Sequence, residues 1–138
     1  MGRDEMIVLD THVLLWWLNG DPSLSSRARG AFRKEQEDEN GLILVSAISA
    51  WEIAMLVQKE RLALTMDVED WLRVAAETDR LRFQPLDTEL LVQSTRLPGA
   101  FHSDPADRMI VALARHLNVP LVTSDKKIRA YKHVRTTW

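Results

Sequence analysis

Cysteine is absent from the 138 residues. That excludes a disulfide framework and any thiolate metal site. Long apolar runs are also missing. A stretch such as VLLWWL, residues 13 to 18, is far short of the roughly 20 residues that a membrane span needs. The opening MGRDEMIVLD holds no apolar segment long enough for a secretory signal. These absences set the expectation of a soluble, cytoplasmic protein with no membrane association. Internal repeats, low-complexity segments and linker-like stretches are lacking too, and the length suits a single domain, 1–138. The four histidines (His12, His102, His116 and His133) show no ligand spacing such as H-x-x-x-H. The glycine-rich G-x-x-x-x-G-K-[ST] loop of nucleotide hydrolases does not occur.

What is present is a chain that is 46% hydrophobic, enough to bury a real core. Its net charge of -2 hides an asymmetry. Residues 1 to 100 carry 11 basic and 17 acidic side chains, whereas residues 101 to 138 carry 7 basic and 3 acidic. A basic C-terminal region suits phosphate, although an ordinary solvated face has the same composition.

Periodicity reads as alternating strands and helices. MIVL, residues 6 to 9, suits a buried strand, and THVLLWWLN, residues 11 to 19, a helix apolar on most sides. Ser25 is placed to cap a helix over 26–39, whose terminal acids Glu35, Glu37, Asp38 and Glu39 oppose the helix dipole and predict fraying. GLILVS, residues 41 to 46, reads as a second buried strand, followed by a helix over 47–62. A helix over 68–79 has Val68, Trp71, Leu72, Ala75 and Ala76 on one face. RFQPL is a short strand, residues 87 to 97 a helix, and residues 105 to 117 a helix with a stripe of Ala106, Met109, Ile110, Leu113 and Leu117. VPLVTSD, residues 119 to 125, is a further strand, followed by a short basic helix and an edge strand in HVRTTW. The alternation predicts a three-layer α/β/α domain around a mainly parallel sheet of four to five strands. Trp16, Trp17, Trp51 and Trp71 are expected in the core, although the adjacent pair on one helix cannot both point inward, so one is free to face a partner.

The acids fall at strand ends. Asp10 follows the first strand, Glu52 lies early in the helix after the second, Asp104 and Asp107 open the helix at 105–117, and Asp125 follows the strand after it. Ligands of open α/β sheets bind beyond the carboxyl ends of the strands. Taken singly, each acid has a simpler explanation as a helix cap. Asp104 before Pro105 is an N-cap signature, Asp107 sits where negative charge suits a helix start, and Ser49 with Glu52 matches S-x-x-E. Ser46, however, is an equally good cap, and a helix starting there leaves Glu52 inside it beside Trp51, Ile53 and Ala54. Each cap contributes roughly 1 kcal/mol. Two carboxylates about 5 Å apart repel by roughly 3 kcal/mol at an effective dielectric near 20. Acids gathered at one edge must therefore take up protons or share a cation, and an all-oxygen site suits Mg²⁺ or Mn²⁺.

The segments LDTHVLLWWL, SAISAWEIAMLVQKERLAL, HSDPADRMIVALA and PLVTSDKKIRAY, in that order over residues 6 to 133, resemble a PIN domain, and more narrowly the VapC-type toxins of bacterial toxin–antitoxin pairs. The resemblance implies a metal-dependent endoribonuclease that hydrolyses phosphodiester bonds by metal-activated water. It places the acidic quartet on Asp10, Glu52, Asp107 and Asp125, with Asp104 as an outer-shell residue. It marks Thr11 and Thr123, and more weakly Ser124, as polar positions beside the metal. Arg108, directly after Asp107, is a candidate to face phosphate, or else a surface arginine or a partner of Asp104. His102 lies near enough to touch substrate, though a surface or capping role is the plainer reading. RNA as substrate, a cognate antitoxin and a homodimer are implied as partners. Relatives often have glycine where this chain has Glu60.

The alternative is a PIN-like module that binds RNA or protein without cleaving. Rivals from other α/β classes fit less well. A phospho-acceptor receiver domain needs an aspartate where GLILVS ends in Ser46, and a haloacid-dehalogenase-type phosphatase needs D-x-D where the chain reads DTH.

Overall fold

Five short strands, Met6–Leu9 (β1), Leu42–Ser46 (β2), Leu81–Gln84 (β3), Leu121–Val122 (β4) and Thr136–Thr137 (β5), form one sheet in the order β3-β2-β1-β4-β5. Every pairing is parallel, with Leu9 opposite Val45 on one side and Val122 on the other. This computed structural model describes residues 6–138, so the first five positions of the expected 1–138 domain lie outside the described residues. The helices are Thr11–Asn19 (α1), Ser26–Glu37 (α2), Ala47–Gln58 (α3), Val68–Ala76 (α4), Thr88–Ser94 (α5), Pro105–Leu117 (α6) and Lys126–Ala130 (α7). Among the described residues no helix is long and apolar enough to cross a membrane.

The strands are apolar at consecutive positions because both faces are covered. Ile7, Leu9, Ile43 and Val45 pack on one side with Val13, Leu14, Phe32, Ile53 and Trp71 from α1 to α4. Val8, Leu44 and Leu121 pack on the other with Leu90, Ile110, Leu113 and Ile128 from α5 to α7. The result is the expected three layers. The α6 stripe is wider than its periodicity predicts: Ile110 through Ala114 are all buried, since α6 lies between the sheet and α5.

Several boundaries differ from the sequence reading: α4 ends at Ala76 and α5 at Ser94, each three residues early, and β3 starts one residue earlier and stops before Pro85. Three more differ for local reasons. Helix α2 ends at Glu37, with Asp38 and Glu39 beyond it, but Glu35 stays helical and buried rather than fraying. Gly41 allows this close passage, because a Cβ there would lie 2.0 Å from the Glu35 carbonyl oxygen. Strand β4 spans only two residues, shorter than the 119–125 stretch, as Pro120 has no N–H to give and Thr123 begins the turn to α7. Helix α3 stops at Gln58, four residues short of the predicted end.

That stop is made by Glu60, which adopts φ 59° while its N–H reaches the Val57 carbonyl and the Arg61 N–H reaches Leu56. The bonds are those of a glycine-type helix stop, performed by a residue with a Cβ. Glu60→Gly is expected to stabilise the protein by about 0.5–1 kcal/mol. Denaturant unfolding checks this, and an unchanged or lowered midpoint would contradict it.

The tryptophans also differ from expectation. Trp51 is 57% exposed, not in the core. Neither Trp16 nor Trp17 is bare: Trp17 packs on Phe32 at 4.5 Å between ring centroids and Trp16 on Trp138 at 5.8 Å.

Candidate active site

The chain builds the sheet from β1 outward through β2 and β3, then returns to add β4 and β5 on the other side of β1. The carboxyl ends of β1 and β4 therefore flank the point where strand order reverses, the usual ligand crevice of an open parallel sheet. Asp10 leaves β1 there, and Thr123, Ser124 and Asp125 leave β4. Glu52 enters from α3, and Asp104 and Asp107 from the start of α6.

Asp10 is held on both oxygens. Oδ1 accepts the Thr11 N–H at 2.8 Å and Oδ2 accepts the Thr123 hydroxyl at 2.7 Å. The Thr123 hydroxyl in turn accepts the Asp125 N–H at 3.0 Å, so β4 and β1 are laced together at the crevice. Thr123 is fully buried and Asp10 only 8% exposed.

Helix α3 starts after Ser46, whose hydroxyl accepts the Ile48 N–H at 3.2 Å. Ser49 is therefore not a cap. Its buried hydroxyl lies 2.7 Å from the Thr11 hydroxyl, which donates to Glu52 Oε1 at 2.5 Å. Thr11 thus ties Asp10 through its N–H and Glu52 through its side chain.

Caps and site functions are shared rather than exclusive. Asp104 Oδ1 accepts the Asp107 N–H at 2.9 Å, the N-cap bond of α6. Asp125 Oδ1 accepts the N–H groups of Lys127 and Ile128 at 2.8 and 3.1 Å, starting α7. In both, one oxygen makes the cap and the second takes no part in it. Asp107 makes no cap; its Oδ2 lies 2.7 Å from His102 Nε2.

Burial and the charge of neighbouring acids act on three of these carboxyls. Burial pushes the Glu52 carboxyl up to about 7 against the pull of the Thr11 hydroxyl, and repulsion from Asp10, Asp107 and Asp104 adds to the rise. Burial also raises Asp107, with Asp10 and Asp104 repelling it while its His102 hydrogen bond opposes the rise. Asp10 is raised by burial above all, opposed by its bonds from Thr123 and Thr11 and by His12, and raised further by Asp125. Acids distant along the chain therefore feel one another's charge.

Arg108 does not face phosphate, nor does it pair with Asp104. Its guanidinium donates to the carbonyls of Ser94, Phe101 and His102 at 2.9, 3.0 and 3.2 Å. It anchors the loop before α6. Ser124 is half-buried between Thr123 and Asp125. Two contributors escaped sequence reasoning. Sequence position suggests only a cap for Ser49, and the equally good cap at Ser46 is the signal against it. His102 shows no motif of its own, but it lies five residues before Asp107 in the loop that ends at the Asp104 cap, which lets it fold back.

The donor set fits a hard divalent cation: several carboxylates, two threonine hydroxyls and no sulfur, with raised carboxyl affinities that a positive charge would relieve. Among the described residues no group of three or more His, Cys, Asp or Glu side chains is placed as a metal cage.

Comparison with known proteins agrees with this geometry. The PIN domain family model matches residues 7–134. Ribonuclease VapC22 of Mycobacterium tuberculosis is 37% identical over 134 residues, covering 96% of this chain and 98% of that protein. Among solved structures, VapBC2 of Rickettsia felis bound to a promoter DNA fragment matches with a TM-score of 0.69 at 18% identity, over 95% of this chain and 96% of that one. A toxin–antitoxin complex from Klebsiella pneumoniae matches with a TM-score of 0.62 at 17% identity, over 93% and 94%. At these identities the two structures speak for the fold.

Proposed function

The chain belongs to the PIN domain family, and from that premise we propose that it is a divalent-metal-dependent endoribonuclease, the toxin component of a toxin–antitoxin pair. The observation that supports the reading is that Asp10, Glu52 and Asp107, distant along the chain, are buried near the strand-order reversal, repel one another and have raised proton affinities, with the charge of Asp125 acting on Asp10. A 37% identical relative over nearly the whole chain bears the name ribonuclease.

Asp10, Glu52, Asp107 and Asp125 would hold Mg²⁺ or Mn²⁺, with Asp104 acting through water. When bound, such an ion stabilises charge on phosphoryl oxygens and lowers the pKa of bound water. The rest falls to the chain. Thr11 and Thr123 fix the Asp10 carboxylate so that it does not turn to meet substrate at each turnover. His102 holds one oxygen of Asp107 and leaves the other for the pocket. Glu52, held on Oε1 by the Thr11 hydroxyl, would orient the attacking water. Attack on the phosphorus opposite the 3′ oxygen leaves a 5′-phosphate and a 3′-hydroxyl. The partner assigned is an antitoxin protein, as in the Klebsiella complex, and a homodimer and a cytoplasmic setting go with this class.

The test is cleavage of total cellular RNA by the purified protein. Discrete fragments are expected with Mn²⁺ or Mg²⁺ and intact RNA with EDTA. Fragments that persist in EDTA would overturn the reading. RNA bound but never cut in any metal would make the chain a binding module instead.

A further inference from the structure

Against His102, which meets Asp107, lies a cavity of about 430 Å³, within the size range of small-molecule sites. Its wall carries Phe101, His102, Tyr131, His133, Lys127 and Lys132, and no acidic residue lines it. The four rings run in series. Phe101 lies 4.3 Å from His102 and 4.8 Å from Tyr131 between centroids, and Tyr131 lies 5.3 Å from His133 in an edge-on contact.

Two features join this cavity to the acids. His102 has its ring in the cavity wall and its Nε2 on Asp107. Lys127 stands two residues beyond Asp125, which caps the helix that carries it. The wall is also braced. The Tyr131 hydroxyl donates to the Pro98 carbonyl, and Arg108 clamps the Phe101 and His102 carbonyls. Gly99, at φ 67°, sits close enough that a Cβ there would lie 3.3 Å from the His133 ring. The aromatic surface is thus formed in advance rather than assembled on binding.

Rings with exposed lysines beside them and no carboxylate are what a single-stranded nucleic acid needs: a face for a base and cations for the backbone. We propose that this cavity is a nucleotide subsite, seating an unstacked base of single-stranded RNA one or two nucleotides from the scissile phosphate, with Lys127 and Lys132 on flanking phosphates. The placement of that phosphate rests on the ribonuclease reading; the binding of a base does not.

The test separates the two. Binding of a short fluorescent single-stranded RNA is measured by anisotropy in EDTA, where cleavage is not expected, using the wild type, Lys132→Ala and His133→Ala. Abasic sites are then placed at each position of the RNA in turn. One abasic position should weaken binding by about 10-fold, within the range of a lost base–aromatic stack. His133→Ala should weaken the intact RNA and respond less to that abasic site. Lys132→Ala should lower the salt dependence of binding by about 0.7 in log–log slope. In Mn²⁺ both variants should raise KM with little change in kcat. Base-dependent binding without any cleavage would sink the ribonuclease reading and leave the subsite standing. Normal cleavage with no sensitivity to abasic sites or to either variant would sink the subsite and leave the ribonuclease reading standing.

Discussion

Asp10→Asn should lower RNA cleavage by about 10³-fold or more while the fold stays at least as stable as the wild type without metal. An ion held by carboxylates supplies several kcal/mol to the transition state, and about 4 kcal/mol corresponds to that factor. Stability should not fall with activity, because Asn has the same shape and its carbonyl oxygen can accept the Thr11 N–H that Asp10 Oδ1 now takes. Its amide can turn to the Thr123 hydroxyl, which has lone pairs to accept it. What the substitution removes is a charge that burial disfavours and that Asp125 opposes. A pure cap would behave in the opposite way, losing stability and sparing chemistry. Thermal melts in EDTA and cleavage rates in Mn²⁺, measured on the same preparation, check both halves. A variant that melts well below the wild type and still cuts RNA would contradict the assignment of Asp10.

The metal-free protein should become less stable as pH rises from about 5 to 8, and millimolar Mn²⁺ should remove that loss. The sign follows from the direction of the shifts. Glu52 is raised from 4.5 to about 7, and Asp10 and Asp107 are raised from 3.8. The folded state therefore holds these protons more tightly than the unfolded chain does. The stability this lends is complete below the ordinary carboxylate range and is lost as pH climbs through about 7 for Glu52. A bound divalent ion replaces the protons as the neutralising charge. At about 100 times its dissociation constant it adds roughly 2.7 kcal/mol, or about 10 °C in Tm for a chain of this size. Melting curves at several pH values with EDTA or Mn²⁺ test this. A metal-free protein that gains stability between pH 5 and 8 would contradict the electrostatic account.

Much of the fold was legible because its signals are local. The four-residue run MIVL ending at Asp10, the Pro105 start of α6 and the Ser25 cap each name a boundary in a few residues, and the structure puts β1, α1 and α6 where they predict. Boundaries set by tertiary contacts were harder to read. Nothing in QKERL announces that Glu60 will turn left-handed, and a buried Glu35 contradicts the dipole argument that suits an isolated helix. For the site, residue type and order pointed to Asp10, Glu52, Asp107 and Asp125. Of the supporting residues, the resemblance marked Thr11 and Thr123, but the contacts of Ser49 and His102 were not visible. That the Ser49 hydroxyl meets Thr11 across 38 positions depends on how α3 lies over α1. Arg108 illustrates the converse: a cation next to a candidate ligand suggests phosphate, but the end of α5 and the loop before α6 offer three carbonyls that claim it first.

The same geometry accounts for the double use of Asp104 and Asp125. A carboxylate has two oxygens, and a helix start needs only one. Placing acids at helix starts beyond strand ends lets one residue orient its helix and still present charge to the crevice. The repulsion that results is tolerated because the hydroxyls of Thr11 and Thr123 share the load and because protons or a cation can complete it.

The central claim is that these separated acids form one pocket whose charge is balanced by either protons or a divalent ion. The most direct measurement is calorimetric titration of the protein with Mn²⁺ in buffers of differing ionisation enthalpy. At pH 6.5 binding should release protons, with Glu52 among their sources, and the release should shrink by pH 8.5. Binding with no proton release at pH 6.5, or no binding at either pH, would contradict it.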